Sequence, residues 1–71
     1  MELRKLPDFS SKERDILHLL ANYHTRMYIC KDLRISYNTL DRHMRLIFAK
    51  TQLHSQVDVM QYAREHGFGT S

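Results

Sequence analysis

Apolar residues recur along this chain at three- and four-residue spacing and nowhere alternate with the period of two that marks a strand, so the pattern predicts helices throughout. The first opens at Ser10. Ser10-Ser11-Lys12-Glu13 forms a capping box, in which the Ser10 hydroxyl accepts from the Glu13 backbone N–H and the Glu13 carboxylate reaches back. Ile16, Leu17, Leu20 and Ala21 then make one apolar stripe, which Asn22-Tyr23-His24 interrupts. A second, two-turn helix is predicted from Thr25 as N-cap to about Leu33, burying Ile29, Cys30 and Leu33. Arg34-Ile35-Ser36 leaves only a tight turn before a third helix, capped by Ser36, that runs from Tyr37 to about Thr51 on a stripe of Leu40, Met44 (or His43) and Ile47. The last helix begins at Ser55, with Asp58 in its first turn to suit the helix dipole, and ends at Gly67. Its Val57, Met60 and Ala63 are expected to serve the core, leaving Val59 and Tyr62 as apolar surplus for self-association. The sum is an all-α, four-helix single domain over residues 1–71, with an N-terminal arm over 1–8 and a flexible tail over 68–71.

Composition narrows the function. With 71 residues the chain builds one core, and 42% hydrophobic against 27% charged residues is the balance of a folded domain. Cys30 is the single cysteine, so no internal disulfide forms, and at its position it reads as a small apolar residue. No apolar run approaches the ~20 residues of a membrane span, and the start lacks the apolar core of a signal peptide, which predicts a cytoplasmic protein. Five histidines raise the question of a metal, but His18, His24, His43, His54 and His66 include no pair at ligand spacing, so neither metal nor cofactor is expected. His43 reads as a half-buried residue at a helix interface rather than a catalyst. Without a glycine-rich phosphate loop, or a nucleophile with a base at recognisable spacing, the sequence argues against an enzyme.

Charge adds direction. Between Arg26 and Lys50, six basic residues (Arg26, Lys31, Arg34, Arg42, Arg45, Lys50) face two acidic ones (Asp32, Asp41), a surplus of +4 where the whole chain carries +3. A cationic middle with near-neutral ends is the footprint of a polyanion partner. Two helices joined by a three-residue turn, the second basic, form a helix-turn-helix, whose recognition helix of about 37–51 fits the major groove of duplex DNA. Tyr37, Asn38, Asp41, Arg42 and Arg45 lie on or near its outer face. Arg42 and Arg45 can each donate bidentately to guanine, and Asn38 can read adenine or hold a phosphate.

The residues now resemble a known family, the LuxR/GerE-type DNA-binding domain. Phe9-Ser10-Ser11-Lys12-Glu13-Arg14-Asp15-Ile16-Leu17-His18-Leu19-Leu20-Ala21 stands in place of that family's capped opening stretch, and Ile29, Leu33, Ile35-Ser36, Thr39-Leu40, His43, Ile47-Phe48, Lys50 and Leu53 follow at its spacing. The resemblance covers nearly the whole chain. It implies a bacterial, stand-alone transcription regulator whose third helix enters the major groove and whose fourth pairs two subunits. It places Arg42 and Arg45 at base-reading positions, Thr39 and Lys50 near the DNA backbone, and Val57, Met60, Gln61 and Arg64 on the dimer-forming helix. Thr25 and Arg26, at the head of the second helix, complete the DNA-contacting set. The chain departs from the family at Asp41, where lysine is usual, at Tyr23, where glycine is usual, at Met27-Tyr28, which replace a Lys-Glu pair, and at Gln56, which replaces a frequent arginine. Activity is then expected to be set by abundance or a partner. An alternative is a protein-interaction module on the same fold, with Tyr23, Met27 and Tyr28 as an aromatic, Met-rich contact patch.

Overall fold

Four side-chain caps start four helices in the computed structural model, which describes residues 7–69: α1 (Ser11–Ala21), α2 (Arg26–Leu33), α3 (Tyr37–Thr51) and α4 (Gln56–Glu65). Ser10, Thr25, Ser36 and Ser55 each accept a hydrogen bond from the backbone N–H three residues on, which satisfies a donor that helix geometry leaves without a partner. At α1 the box closes from both sides, because Glu13 Oε1 also accepts from the Ser10 N–H at 2.9 Å. The joints between helices share a second device. Tyr23, Arg34 and Gln52 all take left-handed backbone conformations, with φ of 68°, 58° and 61°, although none is glycine.

The core is formed by Phe9, Ile16, Leu17, Leu20 and Ala21 from the first segment, Ile29 and Cys30 from α2, Leu40, Met44 and Ile47 from α3, and Val59 and Ala63 from α4. Helix α4 packs chiefly on α1, and α2 on α3, so α3 keeps one side free. Leu33 is only half-buried.

Helix α4 faces differently from the expectation. Val59 and Ala63 are fully buried, Met60 and Tyr62 are half-buried, and Val57 points outward at 57% exposure. The reason is geometric: at 3.6 residues per turn Val57 sits about 160° round the helix from Val59, so only one of them can meet α1. In the stretch over 68–71, Phe68 folds back on the end of α4 and Gly69 lies against α1, while Thr70 and Ser71 lie outside the described residues. The Phe68 N–H donates to the Ala63 carbonyl at 2.9 Å, and the Phe68 ring meets Phe9 edge to face at 6.2 Å. Gly69 has a φ of 81° and lies so close to α1 that an added Cβ would stand 2.6 Å from that of Ala21. Of the arm over 1–8, residues 1–6 lie outside the described residues, and the Asp8 carbonyl accepts from Lys50 at 2.9 Å.

Candidate nucleic-acid interface

Helix α3 buries Leu40, Met44 and Ile47, which points Asn38, Asp41, Arg42, Arg45, Leu46 and Ala49 outward. These six cover an arc of about 140° with Asn38 and Ala49 near its centre and Arg42 and Arg45 on either side, the side of a helix that a major groove admits. Asn38, Asp41, Arg42, Arg45 and Leu46 line one open groove of about 390 Å³. The structure therefore brings together four of the residues expected to meet DNA, and adds Leu46, which the sequence did not mark. Among the described residues Arg42 and Arg45 make no ion pair and no hydrogen bond. Tyr37 is exposed at the head of α3. The Thr39 backbone N–H and hydroxyl oxygen lie 3.1 and 3.0 Å from the Ser36 hydroxyl, which holds Thr39 to its own cap.

Asp41 is neutralised from outside its own helix. Arg26 Nη1 of α2 donates to Asp41 Oδ1 at 2.5 Å, and Arg26 Nε donates to Gln56 Oε1 of α4 at 2.7 Å. One guanidinium thus ties α2, α3 and α4, using two of the residues, Asp41 and Gln56, at which the chain departs from the resemblance. Thr25, beside it, is exposed, and its hydroxyl accepts from Tyr28 N–H at 3.1 Å.

Lys50 occupies a different place from the groove residues. Its ammonium donates to Glu13 Oε1 at 2.7 Å, and lies 5.8 Å from the centre of the Phe9 ring. Glu13 is buried at 1% exposure. Burial alone raises a carboxyl pKa, yet that of Glu13 is held below its ordinary value, because the Lys50 hydrogen bond, the Ser10 N–H and the charges of Lys50 and His43 together outweigh desolvation. A signal for this pair exists in the sequence: Glu13 shares the i, i+3, i+4, i+7 stripe of Ile16, Leu17 and Leu20, and a charge at a core position requires a partner. His43 is half-buried, and its Nδ1 is enclosed without a hydrogen-bond partner among the described residues.

The residues expected to pair two subunits divide. Val57 and Gln61 are exposed, and Val57 and Met60 line a shallow cleft of about 240 Å³ with Leu20, Tyr23 and His24. Arg64 is engaged within the domain, where Nη1 donates to the Ala21 carbonyl at 2.7 Å and the guanidinium lies 4.5 Å from the centre of the Tyr23 ring. Met27 and Tyr28 are exposed, and Tyr28 stacks on His24 at 4.0 Å. Among the described residues no three His, Cys, Asp or Glu side chains are grouped to hold a metal, and no helix is long and apolar enough to cross a membrane.

Comparison with known proteins agrees with this architecture. The chain is 37% identical over 57 residues to the fimbriae Z protein of Salmonella typhimurium, a match that covers 80% of this chain and 27% of that protein. It is 32% identical over 65 residues to a Pseudomonas aeruginosa protein named "Putative transcriptional regulator", covering 92% of this chain and 31% of the relative. The chain thus spans less than a third of either relative. No solved structure matches it at a significant level. Residues 7–63 match the model of the bacterial regulatory proteins of the LuxR family, GerE type, and the four-helix chain belongs to that family.

Proposed function

We propose that this domain binds duplex DNA sequence-specifically, with α3 in the major groove, and regulates transcription inside a bacterial cell as a homodimer paired through α4. The observation that carries the reading is the pair Arg42 and Arg45: two exposed guanidinium groups one turn apart, with no ion pair or hydrogen bond of their own among the described residues, beside Asn38 in one groove. Guanidinium forks match the O6 and N7 acceptors of guanine, and an amide matches adenine, so this face carries the donors a groove-reading helix needs. Thr25, Arg26, Tyr37 and Thr39 flank it as candidates for the phosphate backbone. Asp41, tied to Arg26 through one carboxylate oxygen, lines the same groove and is a candidate acceptor for cytosine N4.

A binding titration against duplexes selected from a random pool tests the reading. Affinity falls steeply with salt, and Arg42→Ala or Arg45→Ala lowers specific affinity by about 1–3 kcal/mol. Absence of duplex binding at low salt overturns it. A second reading, a module that docks on another regulator, draws on the exposed Tyr23, Met27 and Tyr28, at 64%, 58% and 44% exposure. Stoichiometric capture of a protein partner, lost on Met27→Glu and accompanied by no DNA binding, distinguishes that case.

A further inference from the structure

Leu46 is the one large aliphatic side chain on the outward arc of α3. It is 46% exposed, and it lines the groove with Asn38, Asp41, Arg42 and Arg45. Nothing in the core uses it: at 3.6 residues per turn it lies about 100° round the helix from Ile47 and about 160° from Met44. A lone exposed leucine elsewhere on a surface carries no message, but this one stands one turn beyond Arg42 and next to Arg45, among hydrogen-bonding groups. Ala49, exposed on the next turn, is too short to cover it. The major-groove edge of a base pair offers one apolar feature, the methyl on C5 of a pyrimidine, and an aliphatic side chain is its complement.

Resting on the reading of α3 as the groove helix, we propose that Leu46 is a specificity-determining residue that recognises a pyrimidine 5-methyl group, thymine in unmodified DNA, beside the bases read by Arg42 and Arg45. The hydroxyl- and amide-free leucine supplies contact area only, so it discriminates the methyl and not the hydrogen-bonding edge.

The test deletes the methyl and nothing else. In a duplex selected by the wild-type chain, each thymine is replaced singly by deoxyuridine, and affinities are measured for wild type and Leu46→Ala. One thymine per bound helix is expected to cost wild type about fourfold on replacement, the factor that burial of one methyl implies, while Leu46→Ala loses about as much on the thymine site and is indifferent to the replacement. Restoring the methyl as 5-methylcytosine, in a duplex with cytosine at that position, recovers part of the wild-type affinity if the methyl itself is what is read. Equal affinity for thymine and deoxyuridine at every position, or a penalty that persists in Leu46→Ala, overturns the assignment while leaving DNA binding in place. A wild-type chain that selects no duplex overturns the reading of α3 itself. Unchanged helicity of Leu46→Ala, expected of a surface position, separates loss of contact from loss of fold.

Discussion

Lys50 on α3 and Glu13 on α1 are locked at 2.7 Å, so a cation at a position that the resemblance assigns to the DNA backbone serves the protein's own interior. The Glu13 side chain is 2% exposed and the Lys50 side chain 33%, and that ammonium is the one cation bonded to the carboxylate, whose other donor is the neutral Ser10 N–H. Lys50→Ala is expected to cost about 2–4 kcal/mol, below the figure for a fully buried pair because Lys50 is partly solvated. In a domain this small the thermal midpoint falls by roughly 10–30 °C, measurable by calorimetry. Glu13→Leu combined with Lys50→Met removes both charges and recovers most of the loss. A Lys50→Ala chain that melts with the wild type shows the pair to be idle.

The same carboxylate sets a pH dependence. Its folded pKa lies below the ordinary 4.5, so between the two values the unfolded chain holds the proton and the folded chain does not. The stability Glu13 contributes is therefore fully present above pH 4.5 and is lost as pH falls through the lower folded value. Denaturant titrations from neutral to acid pH should show a shallower acid limb for Glu13→Gln than for wild type. Parallel limbs would place the sensitive carboxylate elsewhere.

The Arg26–Asp41 pair is exposed enough for water to screen it, and its effect on folding is small, within about 0.5 kcal/mol for either single change. If α3 meets duplex DNA as proposed, the effect of the pair on binding is larger. Asp41→Asn removes a negative charge from the reading face and frees a guanidinium, so affinity rises and the slope of affinity against salt steepens by about one phosphate contact. Arg26→Ala leaves the carboxylate facing phosphates, and affinity drops across all sequences. Identical salt slopes in the three proteins would mean that this pair lies off the path of the duplex.

Arg34 and Gln52 hold left-handed conformations that cost an ordinary residue about 1–2 kcal/mol, part of which glycine gives back through its extra freedom when unfolded. Arg34→Gly and Gln52→Gly are each expected to stabilise by about 0.5–1 kcal/mol in urea titrations. Tyr23→Gly behaves differently, since it relieves the same strain but removes the ring beneath Arg64, and its net effect lies near zero. A clear gain at Tyr23 would show the ring contact to be empty of energy.

Val57→Glu, at a position open to solvent, leaves the fold intact, whereas Val59→Ala opens a cavity and destabilises by about 1–3 kcal/mol. If α4 pairs two subunits, sedimentation shows Val57→Glu shifted to monomer with its melting curve little changed. An unaltered sedimentation profile removes Val57 from any interface.

Local chemistry is what the chain made legible. The four N-caps and the capping box depend on residues three apart, and they stand where hydroxyl and spacing put them. Facing was harder on α4, because apolar residues at 57, 59, 60, 62 and 63 spread over about 220° of its circumference, wider than one buried face, and only its approach to α1 decides which are buried. The outer face of α3 was readable at Asn38, Arg42 and Arg45, whose types announce their chemistry. Leu46 was not, since an isolated leucine in a helix counts as core until the helix's orientation is known. Lys50 with Glu13, and Gly69 against Ala21, join residues 37 and 48 positions apart, a separation at which no spacing rule operates.

Phe9, just ahead of α1, meets Phe68, just beyond α4, and Tyr62 of α4 closes on Phe9 from the side at 6.4 Å. Three rings thus draw the way into the domain and the way out of it to a single knot, with α3 on the stretch of chain between them. A unit tied off in this manner makes little demand on its surroundings. The described chain enters at Phe9 and leaves at Phe68 through the same spot, an arrangement in which sequence added beyond those points leaves the path of the chain through α3 unaltered.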